Sequence, residues 1–374
     1  MVALFWASVA GVLYPYFGYP LVLNLIRLLV RRPLRPRPES ALPSVSMIIP
    51  VFNESARIER KVMNTLALKY PEDRFEVIFV SDGSTDGTAD RIRGAHAPHL
   101  SVIELDRRRG KAAALNAGLA AATADVVVFS DAAITLDERA LEMLVQPFAH
   151  PEVGCVSGED RIAEAGGEGL YGRYELALRR LESSIHSIVG ASGSFYAQRR
   201  ALCQPFTEGL APDFLSVLRT VEQGYRAVSE PAAVGAMTSV RDPRHEFERK
   251  VRTLLRGLTT LFACIHLLNP LRYGWFAFML FSHKIMRWTV PVFLIVALIS
   301  AMLLSGSILY LVAFLAQLVF YAAALAALWR FAGVDRSLPG KVALYFSSAN
   351  AAVLLAWIQY ARGVRQELWT PSQR

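Results

Sequence analysis

The sequence is poor in cysteine, and its three cysteines lie far apart. Cys155, Cys203 and Cys264 lack the spacing of a zinc or redox site. Their scarcity argues against a disulfide framework and fits a reducing compartment. The formal net charge is +8, yet no stretch interleaves aromatic side chains with a basic strip. We therefore expect no nucleic-acid partner.

Charged residues are missing from long stretches near both ends of the chain. Hydrophobic residues make up 53% of the sequence, and the mean hydropathy is +0.32, which is high for a soluble protein. As helices, the apolar runs are long enough to cross a hydrocarbon core of roughly 30 Å, whereas burial in a soluble core is the disfavoured alternative. We predict one transmembrane helix within residues 1–30 and about three spans within 284–374. The runs themselves are 3–26, 288–304, 308–329 and 343–360.

Basic residues are also absent before the first apolar run, whereas several follow it. A cleaved signal peptide needs positive charge before its apolar stretch, so an uncleaved anchor is favoured. The positive-inside rule then places the N-terminus outside and the chain from residue 31 onward in the cytoplasm. Four spans would leave Arg362 and Arg365 outside, against the same rule, so the last run is either re-entrant or spans despite these charges. The arginines after the first run are Arg27, Arg31, Arg32, Arg35 and Arg37.

Two segments border the central part of the chain. Residues 31–43 are rich in proline, which predicts an extended linker. Residues 254–283 are apolar but are interrupted near Asn269 and Pro270. This pattern predicts two short amphipathic helices at the membrane interface.

The central residues 44–253 alternate between short β-branched runs and helical patterns. This alternation is typical of an α/β domain whose mostly parallel sheet carries helices on both faces. Ligands of such sheets bind at the carboxyl ends of the strands, so residues that follow strands are candidate site residues. The predicted strands are 44–51, 75–80, 101–105 and 125–130, and the predicted helices are 55–68, 86–96, 111–122 and 137–149.

Polar residues follow the first two predicted strands. Asn53 and Glu54 come after Pro50, although both residue types also cap helices. Asp82 and Gly83 follow the second strand, where a carboxylate can accept hydrogen bonds from a nucleobase or a ribose hydroxyl. A capped turn would also explain the second motif, but it does not require an acid before the glycine.

The third and fourth strands lead to charged residues. Lys111 follows Gly110 and begins a helix whose N-terminus attracts phosphate, although a solvated basic loop is an alternative. Asp131 follows an all-apolar strand, so it should emerge at the edge where ligands dock. A hard cation that bridges a diphosphate would bind such a carboxylate.

These four strand ends, in this order, resemble the family 2 glycosyltransferases with a GT-A fold, which is Rossmann-like. The resemblance covers about residues 44–260, and the flanking helices are similar to those of membrane-embedded bacterial polysaccharide synthases. It implies an inverting hexosyltransferase that uses a nucleotide-sugar donor, with UDP as the expected nucleotide. It also implies a lipid-linked or growing saccharide acceptor, further synthase or export subunits, and a catalytic domain on the cytoplasmic side of the bacterial inner membrane.

The resemblance carries roles onto matching residues of this chain. Pro50, Asn53, Glu54 and Asp82 would surround the base and ribose, and Lys111 and Asn116 would lie near the same nucleotide. Asp131 would be the first acid of the family's Asp-x-Asp motif and a ligand of a divalent cation, Mg²⁺ or Mn²⁺.

Three further matches lie downstream. Gly193 and Ser194 resemble the family's acceptor-side segment. Gly224 and Tyr225 match its Gly-Tyr pair, and counting back 11 positions from Gly224 places Asp213 on the catalytic base. Without the match, Asp213 would be read as an acid at a helix N-terminus. A diverged form of the Gln-x-x-Arg-Trp element supplies Arg249 and Arg252 to the donor side.

Three departures from the family's pattern matter. Ala133 replaces the second acid of Asp-x-Asp, which puts the strength of metal binding in doubt. Pro212 replaces the acid that usually precedes the base, and the Arg249 region lacks Gln and Trp, which puts processive synthesis in doubt. A non-catalytic membrane partner of a polysaccharide synthase is therefore the alternative function.

Overall fold

A mixed sheet forms the centre of the molecule. The computed structural model describes residues 1–30, 42–162, 167–237 and 243–365, so most of the predicted linker 31–43 lies outside the described residues. Within them, one eight-stranded sheet has the order β3-β2-β1-β4-β7-β6-β8-β5. The strands are β1 Val45–Val51, β2 Phe75–Ser81, β3 Leu100–Glu104, β4 Val126–Ser130, β5 Thr135–Leu136, β6 Val153–Ile162, β7 Phe195–Arg199 and β8 Arg226–Met237.

The first half of this sheet is parallel, as the sequence predicts. Strands β1 to β4 lie within two residues of their predicted bounds, and their pairings with one another are parallel. The second half is mixed, because β7 pairs antiparallel with both β4 and β6. The prediction of a mostly parallel sheet is confirmed.

Helices cover both faces of the sheet, which explains why its central strands β1, β2 and β4 are largely apolar and buried. All seven residues of β1 are buried. On one side a Cβ added to Gly118 would lie 2.5 Å from Ile48 Cγ2, so α5 can approach β1 only because residue 118 is glycine. The helices of this part are α3 Ile58–Leu66, α4 Thr88–Arg93, α5 Lys111–Ala121, α6 Ala140–Val145, α7 Gly167–Ile185, α8 Pro212–Glu222 and α9 Pro243–Ala263.

Four helices of the described residues are long and apolar enough to cross a membrane. The first comprises α1 (Val2–Leu13), a π-helical segment and α2 (Tyr19–Leu29). The second, which we call the 270–303 helix, comprises α10 (Pro270–Leu280), a π-helical segment and α11 (Arg287–Leu303). The last two are α12 (Ile308–Leu328) and α13 (Leu338–Ala361).

The chain after residue 254 differs in one respect from the predicted pair of short helices. A break does occur near Asn269, whose side chain accepts a hydrogen bond from Leu271 N–H and caps the next helix. That next helix, although kinked at Gly274, then continues into α11. Ser282 and His283 face inward, whereas Arg272 is exposed on the outer surface of the helix together with apolar residues. Leu271, Trp275 and Phe281 are exposed on it.

The apolar helices and the sheet domain share one core. Tyr19, Leu23 and Ile26 of α2 are buried in the same hydrophobic cluster as residues of β1, α5 and α8. The two π-helical segments, Tyr14–Gly18 and Phe281–Met286, meet where Tyr14 Oη lies 2.8 Å from Ser282 Oγ. The 270–303 helix is therefore fixed against both α2 and the domain.

Candidate active site

A cavity of about 480 Å³ lies between the sheet domain and the 270–303 helix. Several elements meet there: the ends of β4 and α5, the loop before β7, helices α7, α8 and α9, and the π-helical segment after α10. The lining residues used below are Lys111, Asp131, Asp160, Glu175, Arg179, Gly190, Gly193, Ser194, Asp213, Phe214, Arg249, Arg252, Arg256, His283, Lys284, Arg287 and Trp288.

Lys111 and Asp131 form an ion pair at the sheet end of this cavity. Lys111 is the first residue of α5, and Asp131 directly follows β4. Lys111 Nζ lies 2.5 Å from Asp131 Oδ1 and 3.5 Å from the carbonyl oxygen of Gly193. The N–H of Asp131 donates to the carbonyl of Ser194. Lys111, Asp131, Gly193 and Ser194, which belong to three separate sequence motifs, thus lie together.

Asp213 lies close to Gly193 and also lines the cavity. It is in the first turn of α8, where the helix dipole stabilises a negative charge. Its Oδ2 is 3.6 Å from the point that a Cβ on Gly193 would occupy. The described residues donate no hydrogen bond to its carboxylate. Burial lowers the pKa of Arg256, and the nearby Asp213 carboxylate opposes that shift.

Arg249 and Arg252 of α9 both line the cavity, but their ion pairing differs. Arg249 donates through Nε and Nη2 to the two carboxylate oxygens of Glu246, at 2.8 and 2.7 Å. Arg252 has no ion-pair partner among the described residues, and burial, followed by repulsion from Arg249, lowers its pKa. Arg252 is therefore the better placed of the two to receive an anion.

Asp82 and Pro50 lie next to the residues that form the sheet end of the cavity. Asp82 is buried, and its carboxylate accepts hydrogen bonds from the N–H groups of Arg109 and Gly110, at 2.7 and 2.8 Å. It thereby fixes the turn that delivers Lys111. Pro50 lines a small recess together with Lys111, Asp131 and Asp213.

Three other predicted residues use their side chains to hold loops. Asn53 Oδ1 accepts from Thr85 N–H, and Asn116 donates to and accepts from the backbone of Phe206. Glu54 is buried beside Arg57, and its burial raises its pKa. The contacts of Asn53 and Glu54 order the loops at the carboxyl ends of β1 and β2, whereas those of Asn116 fix the segment before α8.

The sequence reasoning missed six charged residues of the cavity, namely Asp160, Glu175, Arg179, Arg256, Lys284 and Arg287. Asp160 of β6 accepts a hydrogen bond from Ser192 Oγ at 2.6 Å, and burial raises its pKa. Arg179 of α7 and Lys284 of the 270–303 helix also line the cavity. A lysine inside an apolar run is a signal for a functional site, because intramembrane charges are costly.

Asp131 is the candidate protein ligand for a divalent cation. Within the described residues, no three His, Cys, Asp or Glu side chains gather into a metal site, and Ala133 has no ligand atom. Mg²⁺ and similar ions are nevertheless often held by one carboxylate together with substrate phosphates. The residues present fit a cation of this diphosphate-bridged kind, for which Lys111 would compete at Asp131 Oδ1.

Comparison with known proteins connects this geometry to a family. Residues 46–203 match the model of Glycosyl transferase family 2. A poly-beta-1,6-N-acetyl-D-glucosamine synthase of Staphylococcus aureus (strain COL) is 32% identical over 249 residues, which are 62% of this chain and 57% of the relative. The synthase of that name from Staphylococcus epidermidis is 34% identical over 120 residues. The match thus spans little more than half the length of the first of these relatives.

A solved structure resembles nearly the whole chain. It is a mannosyltransferase from Pyrobaculum calidifontis in complex with GDP-Man and Mn²⁺. The TM-score is 0.74 and the identity 26%, and the likeness covers 96% of this chain and 98% of that one. Residues 46–203 therefore match the family 2 glycosyltransferases, and the fold around them is that of a GT-A glycosyltransferase, flanked by helices long and apolar enough to cross a membrane.

Proposed function

We propose that this chain is an inverting glycosyltransferase of polysaccharide synthesis, acting on a lipid-linked or growing saccharide acceptor. The observation that carries the proposal is the convergence of Lys111, Asp131 and Asp213 on one cavity that the 270–303 helix helps to line. The relatives named as polysaccharide synthases support the same role.

Asp213 acts as the general base. Its carboxylate receives no hydrogen bond from the described residues, so its lone pairs can accept the proton of an acceptor hydroxyl. The acceptor oxygen attacks the anomeric carbon as the bond from that carbon to the diphosphate breaks. Because this is a single displacement, the anomeric configuration inverts. The small Gly193 leaves room for both substrates beside the base.

The departing diphosphate gains negative charge, which the cavity must stabilise. Lys111 and Arg252 are the cations placed to do so, with Arg249 behind them. A divalent cation bound to Asp131 would supply further charge neutralisation. The nucleotide end of the site is formed by Pro50 at the end of β1, by Asn116 of α5, and by the loops that carry Asn53, Glu54 and Asp82.

The donor is a nucleoside-diphosphate sugar. UDP is the nucleotide expected from the family resemblance, whereas the solved mannosyltransferase holds GDP-Man. The arginines after the first apolar helix favour a cytoplasmic site at the inner membrane of a bacterium, where such donors are made.

The experiment is a donor screen with purified protein in lipid nanodiscs. We expect hydrolysis or transfer with one UDP- or GDP-sugar in Mg²⁺ or Mn²⁺, and loss of turnover when a chelator removes the cation. Asp213→Asn should reduce turnover by about 10²- to 10⁴-fold, the usual contribution of a general base. The exposed Asp90→Asn is the matched control.

Ala133 stands where the family has the second acid of its Asp-x-Asp motif. This replacement favours one alternative function, that of a non-catalytic partner of a synthase. Such a partner would bind a nucleotide sugar without turnover in either metal. Asp213→Asn would then bind the donor as the native protein does, and neither would release nucleotide. That result would contradict the enzymatic proposal.

A further inference from the structure

Lys284 differs from the other charged residues of the 270–303 helix. His283 lies between two carboxylates, 2.6 Å from Glu182 and 3.3 Å from Glu175, and Arg287 is paired with Glu175. Lys284 has no carboxylate within ion-pair distance among the described residues. The same segment therefore pairs its neighbours with carboxylates, whereas Lys284 has only the longer-range attraction of Glu175 and Glu182.

The Lys284 ammonium group faces the cavity beside the catalytic base. Its Nζ lies 5.2 Å from the ring centroid of Phe214, which follows Asp213 in the chain, and 5.7 Å from that of Trp288. It is 3.5 Å from the point that a Cβ on Gly190 would occupy, on the loop that leads to Gly193. Aromatic faces stabilise a cation only in part, so an enclosed ammonium group favours an anionic ligand.

Arg179 adds a second cation to this end of the cavity. It lines the cavity, lies close enough to repel Lys284, and makes no ion pair with the described residues, although the Asp160 carboxylate attracts it over a longer distance. The lining as a whole contains seven Lys and Arg side chains against four carboxylates. The donor's diphosphate is accounted for by Lys111, Arg249 and Arg252, which leaves the Lys284 end without an assigned anion.

We propose that Lys284 and Arg179 form an anion subsite that binds a phosphate group of the acceptor, close to its attacking hydroxyl. This inference rests on the proposed glycosyl transfer and specifies its acceptor as phosphate-bearing. The exposed apolar face of the same helix, with Phe281 only three positions from Lys284, favours a lipid as the carrier of that phosphate. The transfer step itself is unchanged, because the acceptor phosphate forms and breaks no bond.

The test compares three acceptors that share one sugar. They are an alkyl-phosphate-linked hexosamine in nanodiscs, an alkyl hexosaminide of equal chain length without phosphate, and soluble hexosamine 1-phosphate. Each is offered to the native protein, Lys284→Met, Lys284→Arg and the control Lys341→Met, which removes an exposed lysine from the apolar helix α13. Donor hydrolysis and retention of the radiolabelled phosphate lipid are measured in parallel.

We expect the native protein to prefer the phosphate lipid to the neutral lipid. Lys284→Met should lower kcat/KM for the phosphate lipid by about 10- to 100-fold, the usual loss for a charge-assisted hydrogen bond, and weaken its retention to a similar degree. Donor hydrolysis and transfer to the neutral lipid should change less than about threefold, within the context dependence of such contacts. Lys284→Arg should retain most of the activity, and Lys341→Met all of it.

Three results would overturn the subsite. The first is a native protein that does not prefer the phosphate lipid to the neutral lipid. The second is a loss of kcat/KM in Lys284→Met that is as large for the neutral lipid as for the phosphate lipid. The third is an equally large loss of donor hydrolysis in Lys284→Met, which would assign Lys284 to donor binding or to folding. Use of the soluble phosphate alone would keep the subsite but reject a lipid carrier. If no donor is turned over, the proposed function fails, and unaltered lipid retention by Lys284→Met would still reject the subsite independently.

Discussion

Lys61 is a buried lysine directly beneath the Asp131 loop. Its ammonium group donates to Ser130 Oγ at 2.9 Å and to the carbonyl of Ile134 at 3.0 Å. These two bonds fix both ends of the loop that carries Asp131. Burial lowers the pKa of Lys61 from its ordinary value of 10.5 to about 7, although the Asp131 charge opposes the shift.

This shift makes stability depend on pH in a defined direction. Between about pH 7 and pH 10 the unfolded chain binds a proton at Lys61 that the folded chain does not, so stability rises with pH, by roughly 1 kcal/mol per pH unit. Lys61→Met should abolish this contribution. Thermal unfolding of both proteins in detergent from pH 6.5 to 9.5 measures the difference in slope, with the exposed Lys69→Met as control. Parallel slopes for the native protein and Lys61→Met would contradict the prediction.

Gly83 offers a second test at the scale of one residue. It has a φ of +67°, and an added Cβ would lie 2.5 Å from the backbone nitrogen of Arg108. Gly83→Ala must therefore displace the turn before Lys111, and we expect the KM for the donor to rise by about tenfold or more, because misplaced phosphate contacts are costly.

Gly87 provides the matched control for that substitution. Its φ is +80°, but an added Cβ there would meet nothing within 4 Å. Gly87→Ala should cost only the backbone strain of about 1 kcal/mol in stability and leave the KM for the donor unchanged. Equal effects of the two substitutions on KM would show that the Arg107–Gly110 turn does not govern donor binding.

At the scale of secondary-structure elements, Glu175 joins the 270–303 helix to α7. Burial alone would raise its pKa, but Arg287 and His283 hold it well below its ordinary value. Among the described residues, Glu175→Gln leaves Arg287 buried without its paired carboxylate, and breaking such a pair costs about 3–5 kcal/mol. We expect a clearly lower unfolding temperature in detergent, whereas Glu138→Gln in an exposed pair should change it little. An unchanged midpoint for Glu175→Gln would mean that the helix is held by apolar packing alone.

The elements that hold the donor side could be predicted because their signals are local. A short apolar strand followed by Asp131, or a glycine followed by Lys111, is visible within ten residues of sequence. The same reasoning could not show how Asn116 is used, because its partner is the backbone of Phe206, 90 positions later in the chain. Nor could it bring Asp160, Arg179 and Lys284 together, since β6, α7 and the 270–303 helix meet only through the mixed half of the sheet and the shared core.

At the scale of the whole molecule, the four apolar helices predict the side of each loop. With the domain in the cytoplasm, the turn at Ser305 and the position of Arg365 after the last apolar helix should lie outside, and the turn at Asp335 should lie inside. Single cysteines placed at these three positions in a cysteine-free variant, treated in intact cells with an impermeant maleimide, should label at 305 and 365 only. Labelling at 305 without 365 would mean that the last helix re-enters the membrane.

The shared core has a practical corollary for anyone who wishes to study the soluble part alone. Tyr19 donates a hydrogen bond to Glu182 at 2.7 Å, and Leu23 and Ile26 are buried with the domain's own residues. A fragment trimmed to residues 42–263 would expose this apolar surface to water and would lose Lys284, Arg287 and Trp288 from its pocket. Such a fragment should aggregate and fail to transfer sugar, even with every family motif intact.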